Sequence, residues 1–215
     1  MTTTMVSENE AYTEYWNNVA DAASDFETKI IKDNFDKKRQ IAGELLKKDL
    51  SKEKILELGT GNGLIAGIVK WANGRVDYTG LDVSPRFAKT ANEFFGLNVV
   101  VGRSSSLPFP DGSNFTVIFA FDVLEHIPFE ERAKTYEELN RVLHPERRVV
   151  FINNPLENAQ VSRHDPAYDY GFDERDLGEM VKTLGMIIAT SKIIESNQYK
   201  RRYQFITLVG VEMLA

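Results

Sequence analysis

Residues 55–63 read ILELGTGNG, an apolar run that ends in three glycines at alternate positions, Gly59, Gly61 and Gly63. The next nine residues, LIAGIVKWA, place Leu64, Ile65, Ile68 and Val69 at the spacing of one helix face. The glycines therefore stand where a strand hands over to a helix. At such a junction glycine takes positive φ easily and leaves the backbone bare, while the first helical turn offers N–H groups without intrahelical partners. A turn of this kind either reverses the chain and nothing more, or holds a ligand by its main chain. The spacing is G-x-G-x-G rather than the G-x-G-x-x-G of a dinucleotide site, and Glu57 stands two positions before the first glycine. A phosphate there would meet a carboxylate, whereas a cation would be held by it.

A second acidic residue, Asp82 in GLDVSP, falls at the end of the next expected strand, at the separation where a carboxylate can clasp a ribose diol. Two roles are open to it: ligand contact, or capping of the helix that starts near Ser84 and Pro85. Beyond these two motifs, short apolar or β-branched runs alternate with longer helical ones. KILEL is followed by LIAGIVKWA, VDYTGLDV by PRFAKTANEFF, NVVVG by a loop, and TVIFAFDV by FEERAKTYEELNRVL, before RVVFIN adds a fifth strand. This alternation predicts βαβ units and a mostly parallel sheet covered on both faces. After a long loop, NPLENAQVSRHDPAYDYGF, comes a helix from about Asp173 to Leu184. The runs MIIATSKII and YQFITLVGVEM then predict an antiparallel hairpin at the sheet edge, giving seven strands. Residues 1–50 are charged and helical in pattern and are expected to form an N-terminal cap on a domain of residues 51–215.

The 215 residues, 42% of them hydrophobic, suffice for one sizeable core. A net charge of −6 argues against nucleic acid and anionic membranes as main partners. The absence of cysteine excludes disulfides, thiolate metal sites and cysteine nucleophiles. The polar, acidic start MTTTMVSENEAYTEYW lacks the features of a signal peptide, and no run approaches membrane-spanning length, so a soluble cytoplasmic protein is the expectation.

The motifs ELGTGNG, GLDVS, GRSSSLPFPDGSNFTVIF and DVLEHIP, in this order over residues 54–154, resemble those of class I S-adenosylmethionine-dependent methyltransferases of the UbiE/UbiG-like small-molecule group. That resemblance implies a Rossmann-like, doubly wound sheet with a helical N-terminal cap. It also implies S-adenosylmethionine as cofactor and S-adenosylhomocysteine as its product. By the same resemblance Glu57, Gly59, Thr60, Gly61 and Gly63 would surround the methionine portion, Asp82 would accept from both ribose hydroxyls, and Val83 would lie beside the adenine. Phe121 would border the same pocket, and Tyr15, with Tyr12 and Trp16, would either cover it from the N-terminal helix or pack that helix on the core. The family usually carries an acidic residue after the glycine of GRSSSLPF, facing the adenine amino group. Here that position is Arg103, so Ser104 or Ser105 would contact adenine. A second departure is Thr116, where the family commonly has Asp; its role is read as structural.

Methyl transfer from a sulfonium is an in-line displacement that needs alignment and exclusion of water, with no metal and no covalent intermediate. A base matters only where the acceptor must lose a proton. Asp122 and His126 in FDVLEHIP, at the end of the fourth strand, are the candidates, although a packing or capping role accounts better for His126, since a histidine near a site is not thereby its base. His164, Tyr168 and Tyr170 in the long loop are candidate substrate contacts, although solvated loop chemistry accounts for the same residues. The run Lys37-Lys38-Arg39 reads as a solvated helix face. The expected reaction is methylation of an oxygen or nitrogen on a small molecule. The alternatives are a peptide or protein methyltransferase and a non-catalytic cofactor-binding regulator. A nicotinamide oxidoreductase fits less well, because Glu57 would face the pyrophosphate. The oligomeric state is left open, a homodimer included.

Overall fold

The computed structural model describes residues 8–23, 30–155, 170–196 and 201–214. Five strands run parallel: β1 (Lys54–Leu58), β2 (Asp77–Asp82), β3 (Val99–Val101), β4 (Val117–Ala120) and β5 (Val149–Pro155). Two more, β6 (Met186–Ser196) and β7 (Arg201–Gly210), complete a sheet of order β3-β2-β1-β4-β5-β7-β6. The expected C-terminal hairpin is present, but the later strand takes the inner place. β7 runs antiparallel between β5 and β6, and β6 forms the edge.

Among the described residues six helices surround the sheet: α1 (Glu8–Ala23), α2 (Ile30–Leu45), α3 (Leu64–Asn73), α4 (Pro85–Phe95), α5 (Phe129–Val142) and α6 (Glu174–Leu184). Successive strand side chains point to opposite faces, and here both faces are apolar. Ile55, Val117, Phe119 and Phe151 pack with Ile41 and Leu45 of α2, Ile65 and Val69 of α3, and Ala91 of α4. Leu56, Leu58, Ile118, Ala120, Val150 and Ile152 pack on the other face with Tyr136 and Leu139 of α5 and Leu177, Met180 and Leu184 of α6. The local chemistry of helix ends matches the sequence. Ser84 caps α4 ahead of Pro85, and Asp173 forms a capping box with Asp176 at the start of α6.

The fourth strand is shorter than the run TVIFAFDV suggests and stops at Ala120. Asp122 has a φ of +53°, and its N–H donates to the Asn153 side chain instead of a neighbouring strand. The chain then makes a short 3-10 turn over Leu124–His126. The last strand likewise ends at Gly210, and Val211–Leu214 turns as a 3-10 helix. Because β1 lies between β2 and β4, the chain leaves to opposite sides of the sheet at their carboxyl ends. A crevice opens at this switch point, where ligands bind in open α/β folds.

Candidate active site

The three glycines of the β1–α3 turn all have positive φ, +61° at Gly59, +56° at Gly61 and +80° at Gly63, yet they serve different ends. A Cβ at Gly59 would stand 2.7 Å from Val123 Cγ2, and one at Gly63 would stand 2.7 Å from Leu97 Cδ1. Those two positions let the turn approach the β4 loop and let α3 approach α4. A Cβ at Gly61 would meet nothing nearer than the Gly59 carbonyl at 4.0 Å, so the bare backbone there faces open space.

Both carboxylates beside the turn are buried. Asp82 Oδ2 accepts the Gly61 N–H at 2.8 Å, and Oδ1 accepts the Ser84 N–H at 2.9 Å. The helix cap itself is Ser84, whose Oγ accepts the Phe87 N–H at 3.3 Å. Asp82 therefore fastens the glycine turn to the β2–α4 turn. Burial pushes its pKa up to about 6, against the lowering effect of the backbone donors. Glu57 is 3% exposed and accepts the Tyr78 hydroxyl at 2.5 Å. Burial pushes it up to about 7, with the Tyr78 hydroxyl and the Lys38 charge pulling the other way.

These groups line one cavity of about 350 Å³. Glu57, Gly59, Thr60 and Gly61 form one stretch of its wall, Asp82, Val83 and Ser104 another, and Phe121, Asp122 and His126 a third. Gly63 and Ser105 are not among the lining residues: Gly63 packs between helices, and the Ser105 hydroxyl donates to Glu131 Oε2 at 2.6 Å. Tyr15 also lies off the cavity, its ring edge-on to Trp16 at 5.1 Å, while Tyr12 and Trp16 do line it. Tyr170 sits outside the cavity, where its N–H donates to the Glu125 carbonyl at 2.8 Å. His164 and Tyr168 lie outside the described residues.

The helix α1 closes one side. Tyr12 donates its hydroxyl to the His126 carbonyl at 3.1 Å, and the Trp16 ring stands 4.9 Å from the His126 ring. Ser84 Oγ donates to Asn17 Oδ1 at 2.7 Å, and Arg86 pairs with Asp21.

Sequence reasoning missed two lysines of α2. Lys37 is 4% exposed, not solvated, and its Nζ lies 2.7 Å from Asp122 Oδ1 and 4.2 Å above the Tyr203 ring. Burial works against the Asp122 charge, but Lys37, Asn153 and Lys38 outweigh it and hold the carboxyl below the usual range. Asp122 thus stays ionised and fixed. Lys38 is half-buried and lines the cavity; burial lowers its pKa, opposed by the Asp122 and Glu57 carboxylates. The signal was present in the helical period. Lys37 precedes Ile41 by one turn and Leu45 by two, which places it on the buried face.

Residues 56–151 match the family model described as a methyltransferase domain. Over these residues the chain carries a methyltransferase domain, on the fold of solved S-adenosylmethionine-dependent methyltransferases. A demethylmenaquinone methyltransferase of Thermotoga maritima is 30% identical over 105 residues, 48% of this chain and 44% of that one. The match thus spans less than half the length of that relative. Magnesium protoporphyrin IX methyltransferase from Synechocystis, solved with bound S-adenosylhomocysteine, superposes with a TM-score of 0.73 at 14% identity, covering 95% of this chain and 100% of that one. The [4+2]-cyclase SpnF shares the fold with a TM-score of 0.61 at 16% identity, over 80% of each chain.

The methyltransferase domain's cofactor has a sulfonium, an ammonium, a carboxylate, a ribose diol and an adenine. The cavity has a chemistry for the charged and hydroxylated parts: two buried carboxylates, the Lys38 ammonium, and open backbone at Gly61. Its volume lies within the range of about 300–1,000 Å³ usual for ligand sites. The residues fit the group.

Proposed function

We propose that this chain transfers a methyl group from S-adenosylmethionine to an oxygen or nitrogen of a small-molecule acceptor. The observation that carries the reading is the fastening of Asp82 to Gly61, which places a buried acceptor beside bare backbone at the switch point of the sheet. In this reading Glu57, Gly59, Thr60 and Gly61 hold the methionine end, with Lys38 as the cation for its carboxylate. Asp82, with about four acceptor positions against the backbone donors of Gly61, Val83 and Ser84, keeps acceptor capacity toward the ribose hydroxyls. Val83 and Ser104 border the base.

The cofactor supplies an electrophilic methyl group on sulfur, so the protein's task is to orient the acceptor and exclude water. Tyr12 and Trp16 of α1 and Ile127 and Pro128 beyond the 3-10 turn form a largely apolar wall. Asp122, locked by Lys37 and Asn153, supplies a fixed negative charge at the cavity edge and fixes the turn that carries His126. His126 is the residue to take a proton where the acceptor is a hydroxyl. An enclosing helix over the cavity favours a small acceptor over a peptide laid along an open groove.

The test is methyl transfer from labelled S-adenosylmethionine to panels of phenols, amines and peptides. Transfer to a phenol or amine supports the reading. Transfer only to peptides replaces it with the peptide reading, and tight cofactor binding without transfer to any acceptor supports a non-methylating role.

A further inference from the structure

Arg103 and Glu131 line the cavity wall next to Val83 and Ser104. They are fixed against each other. Glu131 Oε1 accepts from Arg103 Nη2, Glu131 Oε2 accepts the Ser105 hydroxyl at 2.6 Å, and the Arg103 guanidinium lies 4.8 Å over the Tyr12 ring. Two groups are left over. Arg103 Nη1 is buried and has no hydrogen-bond partner among the described residues. Each Glu131 oxygen has used one lone pair and keeps another. A buried N–H without a partner is costly, so the wall offers a donor that lacks an acceptor, side by side with an acceptor that has capacity to spare.

Adenine presents the complementary pattern on its Watson–Crick edge, where the N6 amino group donates and N1 accepts. We propose that the Arg103–Glu131 pair reads that edge, with Arg103 Nη1 donating to N1 and the Glu131 carboxylate accepting from the amino group. The inference rests on the cavity being the S-adenosylmethionine site. It makes α5, through Glu131, the source of the carboxylate for the adenine amino group, while the residue following Gly102 supplies the donor. Arg103 contributes twice, contacting the base through Nη1 and holding Glu131 through Nη2.

Hypoxanthine reverses both groups: its O6 accepts and its N1 carries a hydrogen. Calorimetric titration with S-adenosylhomocysteine and S-inosylhomocysteine therefore tests the pair. The wild type is expected to prefer the adenosyl compound by about tenfold or more, the scale of one charge-assisted hydrogen bond. In Glu131→Ala and in Arg103→Ala the preference should fall to about threefold or less, with the double variant no lower than either single one. Glu131→Gln, which keeps a carbonyl acceptor, should retain part of it. The ratio within one protein cancels any loss of folding common to both compounds. Equal affinities in the wild type, or a full preference in both alanine variants, overturn the assignment while leaving the cofactor site standing. Failure of either compound to bind the wild type removes the cofactor reading and the inference with it.

Discussion

Lys37 Nζ on α2 lies 2.7 Å from Asp122 Oδ1 at the end of β4, and the side chains are only 6% and 24% exposed. The pair joins α2 to the strand end that borders the cavity. Removing one partner strands the other charge away from water, which costs more than the pair contributes. Lys37→Met should therefore lower the unfolding free energy by roughly 2–4 kcal/mol, read from urea melts. Adding Asp122→Asn should recover part of that loss. A Lys37→Met protein as stable as the wild type would mean that the ion pair is solvated.

Glu57 and Asp82 give the domain a pH dependence of definite sign. Burial raises them from 4.5 and 3.8 to about 7 and about 6, so the folded protein binds more protons than the unfolded chain between those values. Stability should fall as pH rises from about 4 to about 7 and change little below that window. Cofactor affinity should move the other way. A sulfonium and an ammonium favour the ionised carboxylates, so binding strengthens from about pH 5.5 to about pH 7.5 and releases protons. Calorimetry in two buffers of different ionisation enthalpy measures that release directly. Glu57→Gln should flatten the upper part of the profile; an unchanged profile in that variant excludes Glu57 as the titrating group.

Most of the scaffold is written locally. The strand–glycine–helix junction at 55–63, the Ser84-Pro85 start of α4 and the β1-to-β5 alternation depend on neighbours within a few residues, and the structure has them all. The order of β6 and β7 is different, because a hairpin in the sequence does not say which strand faces β5. The lysines of α2 were misread for a related reason. Charge at Lys37 and Lys38 suggests solvent, and only the distant Asp122, 85 residues along the chain from Lys37, makes burial affordable. Glu131 escaped notice in the same way: nothing near it in sequence marks it, and its meaning comes from Arg103 across a loop.

Asp82 offers a sharper test of the cofactor site. Asp82→Asn keeps one oxygen acceptor but loses the charge and half the acceptor capacity, so S-adenosylhomocysteine binding should weaken by about 1–3 kcal/mol. Isothermal titration of the folded variant checks it. Unchanged affinity would remove the ribose assignment and leave Asp82 as a clasp between two turns.

Gly59 and Gly61 separate packing from binding. Both have left-handed backbone, so alanine at either position costs about 1–2 kcal/mol in conformational strain. At Gly59 the new methyl also stands 2.7 Å from Val123 Cγ2, on the turn after β4, and relieving that overlap should cost a further 1–3 kcal/mol or about that much. Gly61→Ala adds its methyl in open space at the cavity wall, with no protein atom nearer than 4.0 Å. Gly59→Ala should therefore lose more thermal stability than Gly61→Ala. Gly61→Ala should stay folded and bind S-adenosylhomocysteine more than about tenfold more weakly, because the methyl occupies space the cofactor needs. Thermal melts and titrations of the two variants decide the matter together. A Gly61→Ala protein that binds as tightly as the wild type would place the cofactor's methionine end away from this turn.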